Sequence, residues 1–327
     1  MSAPPGDLRE GGQWTLAQRA KNDVLWVLVS TAVATLGRLP PRALRAAGAA
    51  LGVLAHAILP GTRRLAERNV ALALPGLDTA ARRALVARCY RTLGGYHRDA
   101  VAMLDPRRPI APLPFAEGSR ELLDQAIGAG RGVVFASAHL GPWERVAATL
   151  VASGIDFTAV AREPYDPRLA RLYERLRGGR GLRTIYRGTP GAATRLVRTL
   201  RRGAVLGIPM DLASRVPSVD VPFLGHVART PVGPARLALR TRAAVVVGVP
   251  APHPAGGATL ELAVSLVATD DLDTSADSER ILSTRINDAL SMRILALPAS
   301  WVWMHPRWQP SATTLYSVGK EPSLRAS

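Results

Sequence analysis

Hydrophobic and polar positions divide the chain into three regimes. Two uncharged apolar runs come first, at 24–37 and 46–59, separated by Arg38 and the Pro40-Pro41 break. As helix, a run of about 14 residues reaches about 21 Å, short of the ~30 Å hydrocarbon core of a bilayer. With arginines at their flanks, the two runs predict an interfacial or re-entrant apolar anchor over residues 1–60. The second regime is one helix at 80–104, entered through a Thr79 cap, with Leu85, Cys89, Leu93 and Tyr96 on one stripe. Pro106, Pro109, Pro112 and Pro114 then mark the entrance to the third regime. There, short apolar runs alternate with amphipathic stretches. Strands are predicted at 133–138, 157–161, 183–186, 205–209, 244–249 and 259–267. Helices are predicted at 121–129, 145–153, 167–177, 192–202, 234–241 and 278–295. This alternation predicts an α/β layered domain over 61–310, with a largely parallel central sheet flanked by helices. A polar tail, 311–327, follows.

The composition carries enough apolar residues for a large core, 47%. A lone cysteine, Cys89, excludes an intrachain disulfide and a cysteine zinc site. The net charge is +17 and almost wholly arginine, since Lys21 and Lys320 are the only lysines. Such a surface attracts polyanions: nucleic acid, anionic lipid headgroups, phosphorylated substrates or an acidic carrier protein. Nucleic acid is set aside, because no aromatic-basic interleaving, helix-turn-helix or zinc-finger spacing occurs. His56, His97, His226 and His253 show no metal-ligand spacing, so no metal is expected. No G-x-S-x-G elbow supports a serine nucleophile.

Candidate chemistry gathers where apolar strands end in polar residues. The 133–138 run ends at His139, followed by a turn through Gly141, then Pro142 and a helix whose first turn holds Glu144. An imidazole at a strand end beside a helix start sits where ligands bind in open α/β sheets. Glu144 can fold back to one ring nitrogen and leave the other as a base. Arg162 ends the 157–161 strand and Asp211 follows the 205–209 strand, each a candidate substrate contact. Further on, Gly225 and Gly233 are read as places where backbone approaches a ligand. Gly233-Pro234 opens a helix able to hold an anion. On 167–177, Arg168, Arg171 and Arg175 share one face and continue toward Arg180, Arg183 and Arg187.

The segment His139-Leu-Gly-Pro-Trp-Glu144 resembles the H-x4-D/E motif of the glycerolipid acyltransferase superfamily. Its form is similar to the branch of lipid A late acyltransferases and phosphatidylinositol mannoside acyltransferases. Three further stretches carry the same resemblance, in order: Arg63 to Pro75, with Leu74 where the family usually has Phe; Val221 to Ala235; and Trp301 to Trp308, which includes His305. The resemblance implies a glycerolipid-acyltransferase-like fold and transfer of a fatty acyl chain from a thioester to a hydroxyl of a membrane lipid. His139 would be the general base and Glu144 its orienter, with Arg162, Asp211, Gly225, Thr230 and Gly233 at the substrate. The implied donor is an acyl carrier protein or coenzyme A thioester, and no other cofactor is expected. The implied acceptor is a lipid A precursor, with a phosphatidylinositol mannoside or lysophospholipid as the second choice. The implied place is the cytoplasmic membrane, with the catalytic domain on the cytoplasmic face of an anionic surface. A non-catalytic, arginine-rich membrane adaptor on the same fold is the alternative.

Overall fold

The computed structural model describes residues 13–36, 39–103, 110–164, 166–214, 216–256 and 259–308. The predicted tail and part of the proline linker (Pro106, Pro109) lie outside them. Four helices open the chain: α1 (Leu16–Leu36), α2 (Pro41–Ile58), α3 (Pro60–Ala73) and α4 (Thr79–Met103). Gly48 and Gly52 of α2 lie against the backbone of Tyr90 and Gly94 in α4. A Cβ at Gly48 or Gly52 would strike a carbonyl oxygen, so these glycines set how closely the two helices cross. The outer side of α2 leaves Leu51, Leu54, Ile58 and Leu59 exposed, and α1 exposes Leu16, Val24, Leu25, Val27 and Leu28. Among the described residues no single helix is long and apolar enough to cross a membrane. Helices α2 and α3, bent by 93° at Leu59, meet the length and composition test only as a pair. The predicted anchor is therefore not free-standing, because α2 also builds the wall of α4.

Beyond residue 110 the elements alternate as the pattern predicts. They run α5 (Ser119–Gly128), β1 (Val133–Ser137), α6 (Trp143–Ala152), β2 (Phe157–Arg162), α7 (Pro167–Gly178), β3 (Arg183–Arg187), α8 (Ala192–Arg201) and β4 (Val205–Pro209). Then follow a hairpin of β5 (Ser218–Phe223) and β6 (His226–Pro231), α9 (Gly233–Thr241), β7 (Ala244–Pro252), β8 (Leu260–Val267) and α10 (Ala276–Ala296). The main sheet has the order β3-β2-β4-β1-β7-β8. It is parallel except for the β7–β8 edge. The hairpin had not been read as strands; it stands apart from this sheet and packs on α10.

Both faces of the sheet are covered, which is why β1 reads as an unbroken apolar run. Phe135 and its row face Leu123, Val146 and Leu150 of α5 and α6. Val134 and Ala136 face the opposite layer, where Leu282, Ile286, Leu290 and Ile294 make one fully buried strip of α10. Burial of each such side chain is worth ~1.5–3 kcal/mol. Strands β1 and β4 are neighbours, yet the chain leaves β1 to cross beyond β4 and leaves β4 to cross beyond β1. Connections diverging from adjacent strands open a crevice at their carboxyl ends. His139 and Asp211 both lie there.

Candidate active site

Register builds the site. Ser137 of β1 stands opposite Pro209 of β4, and Met210 N–H extends that ladder to the Ser137 carbonyl. Two residues past each strand, His139 therefore comes level with Asp211. The Asp211 side chain is fully buried. Its Oδ2 accepts from the His139 backbone N–H at 2.8 Å and from the Trp301 indole N–H at 2.8 Å, and its Oδ1 lies 2.9 Å from His139 Nδ1. An ionised carboxylate only accepts, so Nδ1 carries the proton and Nε2 keeps its lone pair. The imidazole side chain retains 29% of its surface open, and the Trp143 indole meets it edge-on at 5.3 Å.

The electrostatics follow from this contact. Burial alone would depress the His139 pKa, but the charge and hydrogen bond of Asp211 outweigh it and the pKa stands above the ordinary histidine value. Burial likewise acts to raise Asp211; the imidazole's charge and the three donated bonds reverse this and hold it below the usual carboxylate range.

This corrects the expected role of Glu144. It sits in the first turn of α6 as expected, but Asp211 holds the ring nitrogen assigned to it. Glu144 instead pairs with Arg177 of α7, at 2.7 and 3.3 Å, with both side chains about 15% exposed or less. Its charge still reaches His139 through space, and so does the opposing charge of Arg177. Asp211, expected as a substrate contact, is the ring's partner.

The other expected residues divide. Arg162 ends β2 as predicted and is exposed. It stands two strands from β1, or about 10 Å at the usual strand spacing. Thr230 is spent on structure: its buried hydroxyl accepts from Asn287 and Arg307 and donates to the Ala228 carbonyl, which uses its whole hydrogen-bonding capacity. Leu224 and Gly225 form the two-residue β5–β6 turn, both left-handed at φ 49° and 80°, and a Cβ at Gly225 would meet nothing. The Leu224 N–H donates to Ser291 Oγ of α10. Gly225 therefore serves the hairpin turn, and no crowded backbone approach calls for a glycine there. Gly233 begins α9, as expected, with open space at its Cα.

Two contributors were not legible as such. The Trp301 indole reads in the sequence as core, yet it donates to the Asp211 carboxylate. Asn69 holds the Trp303 and His305 carbonyls at 2.8 and 2.7 Å and so braces the segment that delivers Trp301. Their only signal was membership in the two resembling stretches at either end of the domain.

A cavity of about 540 Å³, counted with its open mouth, lies between the sheet and α6. Ala138, Trp143, Glu144 and Arg177 line it near the His139 turn; Val146, Phe157 and Leu182 line its apolar length. The Phe157 ring fills the space above Gly207 and the Phe135 ring that above Gly248. The two rings meet edge-on at 5.9 Å. An apolar cavity beside the His139 turn can hold a hydrocarbon chain while a base on that turn acts on a hydroxyl.

Comparison with known proteins finds similarity along most of the chain. The family described as bacterial lipid A biosynthesis acyltransferase matches residues 16–310. A phosphatidylinositol mannoside acyltransferase of Mycobacterium tuberculosis (strain CDC 1551 / Oshkosh) is 26% identical over 246 residues, 74% of this chain and 76% of that protein. Another, from Mycolicibacterium smegmatis, is 30% identical over 190 residues, 56% of this chain and 59% of that one.

Proposed function

The chain belongs to the bacterial lipid A biosynthesis acyltransferase family, and from that premise we propose that it moves a fatty acyl chain from a thioester to a hydroxyl of a membrane glycolipid. The observation that carries this reading is the His139–Asp211 pair, held on a turn whose flanking residues Ala138 and Trp143 line the apolar cavity. The acyl chain lies in the cavity and brings its thioester carbonyl to the His139 turn. His139 Nε2 takes the proton of the acceptor hydroxyl as the oxygen attacks that carbonyl. Asp211 holds the ring and stabilises the imidazolium, which then returns the proton to the leaving thiolate. Base catalysis of this kind is worth roughly 10²–10⁴-fold.

Attack is direct. Cys89, the single cysteine, is buried and bonded to the Trp301 carbonyl. Burial pushes its thiol up to about 12, which leaves almost no thiolate at neutral pH. No acyl-enzyme should accumulate.

For the acceptor, the family description favours a lipid A precursor and the mycobacterial relatives favour a phosphatidylinositol mannoside. Both offer sugar hydroxyls beside phosphate. The apolar faces of α1 and α2, with arginines nearby, support attachment to an anionic cytoplasmic membrane surface. The test is to supply the purified chain with labelled acyl-coenzyme A or acyl carrier protein and vesicles holding one acceptor or the other. Labelled product names donor and acceptor together. The absence of product from every pairing overturns the reading.

A further inference from the structure

A second, smaller cavity lies behind the His139–Glu144 turn. It encloses about 260 Å³ and is walled by Tyr96, His97, Asp99, Trp143, Glu144 and Arg145 among others. The mechanism above uses none of its α4 side chains. Asp99 is 8% exposed, and its Oδ2 is buried with no hydrogen-bond partner. Its Oδ1 takes one bond from Arg98, at 3.2 Å. Burial raises its pKa above the ordinary carboxylate value, against the smaller opposing charges of Arg98, Arg145 and Arg45. A buried carboxylate oxygen without a donor is costly unless something supplies one. His97 binds the Leu93 carbonyl through Nδ1 at 2.7 Å, which leaves Nε2 as its other polar atom. Its ring meets the Trp143 indole edge-on at 6.4 Å, and the same indole meets His139 at 5.3 Å. Trp143 and Glu144 line both cavities.

We propose that this cavity is the acceptor's sugar subsite, in which Asp99 and His97 bind ring hydroxyls against the indole of Trp143. Three features select a sugar ring. The first is the pairing of a donor-hungry carboxylate oxygen with an open imidazole nitrogen, which suits neighbouring hydroxyls that both give and accept. The second is the aromatic wall, which suits the apolar face of a ring. The third is size: at about 260 Å³ with its open mouth included, against about 540 Å³ for the acyl cavity measured in the same way, it suits one ring rather than a whole headgroup. Its placement agrees, since α4 carries Asp99 and is crossed by α2, whose outer face is apolar. A glycolipid lying in the bilayer would present its sugar from that side, while the acyl chain occupies the groove on the other side of Trp143. The subsite rests on the acyl-transfer reading and adds the acceptor's binding residues to it.

The test uses the full chain, palmitoyl-coenzyme A, and two acceptors of equal alkyl length, an alkyl hexoside and an alkyl glycerol. Asp99→Asn keeps the shape and replaces the unpartnered acceptor with a group able to donate. The acceptor KM for the hexoside should rise about tenfold, the loss of one hydrogen bond to a charged group. The KM for palmitoyl-coenzyme A and the KM for the glycerol should not move. His97→Gln, at the exposed mouth, should shift the hexoside KM in the same direction and serves if Asp99→Asn does not fold. A wild-type chain that acylates the hexoside, with both variants unchanged in hexoside KM, overturns the subsite alone. A wild-type chain that acylates only the glycerol overturns the subsite and the glycolipid reading together. A rise in both acceptors' KM values and in the donor's marks Asp99 as a structural brace and also overturns the subsite.

Discussion

Asp211→Asn separates the geometry of the His139–Asp211 pair from its charge. In the wild type, Oδ2 receives the His139 backbone N–H and the Trp301 indole, while Oδ1 faces Nδ1. An asparagine can keep its carbonyl at the Oδ2 position and satisfy both of those donors, so the fold and the turn persist. Its amide NH2 then occupies the Oδ1 position and donates to Nδ1. The ring must place its proton on Nε2, where no base is left. The lost charge acts in the same direction: a unit charge about 4 Å away at an effective dielectric near 20 is worth ~4 kcal/mol to the imidazolium. At 1.36 kcal/mol per decade this is about 10³-fold in rate, within the range for a base catalyst. The assay is steady-state acyl transfer against pH, with melting temperature as the control. In the wild type the raised His139 pKa means that activity falls as pH drops through a value above ~6.5, because the protonated ring cannot accept. In Asp211→Asn, kcat should fall about 10³-fold, and any residual acid limb should move to lower pH. Glu144→Gln leaves the ring bond intact and should lose less. Near-full turnover in Asp211→Asn, or a larger loss in Glu144→Gln than in Asp211→Asn, would refute the assignment of Asp211 as the ring's partner.

Three further outcomes are expected. Arg162→Lys should keep charge but lose the bidentate fork, raising the KM of a phosphorylated acceptor without lowering melting temperature; unchanged kinetics in Arg162→Ala would remove it from the site. Gly207→Ala sets a methyl against the Phe157 ring and should destabilise by about 1–3 kcal/mol while driving the ring into the cavity, so preference in an acyl-coenzyme A length series should shift to shorter chains. Paired substitution of exposed Leu28 and Leu54 by Asp should release the chain from anionic vesicles in flotation, and salt should weaken the remaining binding; complete retention at high salt would place the attachment elsewhere.

The fold was largely legible because parallel strands covered on both faces read as unbroken apolar runs, as at Val133 to Ala136. Two parts were not. The β5–β6 hairpin, Ser218 to Pro231, alternates in burial, but Pro222 stands in one strand and in the other Val227 faces out while Ala228 and Thr230 face in, so the residue types do not show the alternation. The N-terminal runs do form apolar helices, but the packing of α2 on α4 was not legible in them. That α2 leans on α4 depends on Gly48, Gly52 and Gly94, and a glycine in an apolar helix does not announce which backbone approaches it.

The site shows a sharper divide between local and long-range information. His139 was legible because a polar residue directly after an apolar strand, followed by a glycine turn, is a local signal. Glu144 was assigned to the ring by the same local logic, since five residues through a turn bring it near. The ring's partner is instead set by register. Asp211 lies 72 residues away and arrives only because β4 inserts beside β1, with Pro209 opposite Ser137. Sequence spacing cannot state a strand order, but it did place both residues just past the ends of their strands. Once register sets Ser137 opposite Pro209, each lies two residues past a paired position and the two side chains meet. Glu144 is then free for a different neighbour, and Arg177 supplies it from α7. The charge of Glu144 is thereby held near the imidazole and largely neutralised by the guanidinium, while Asp211, fully buried and bonded only to the turn, the ring and the Trp301 indole, carries the field that the base responds to.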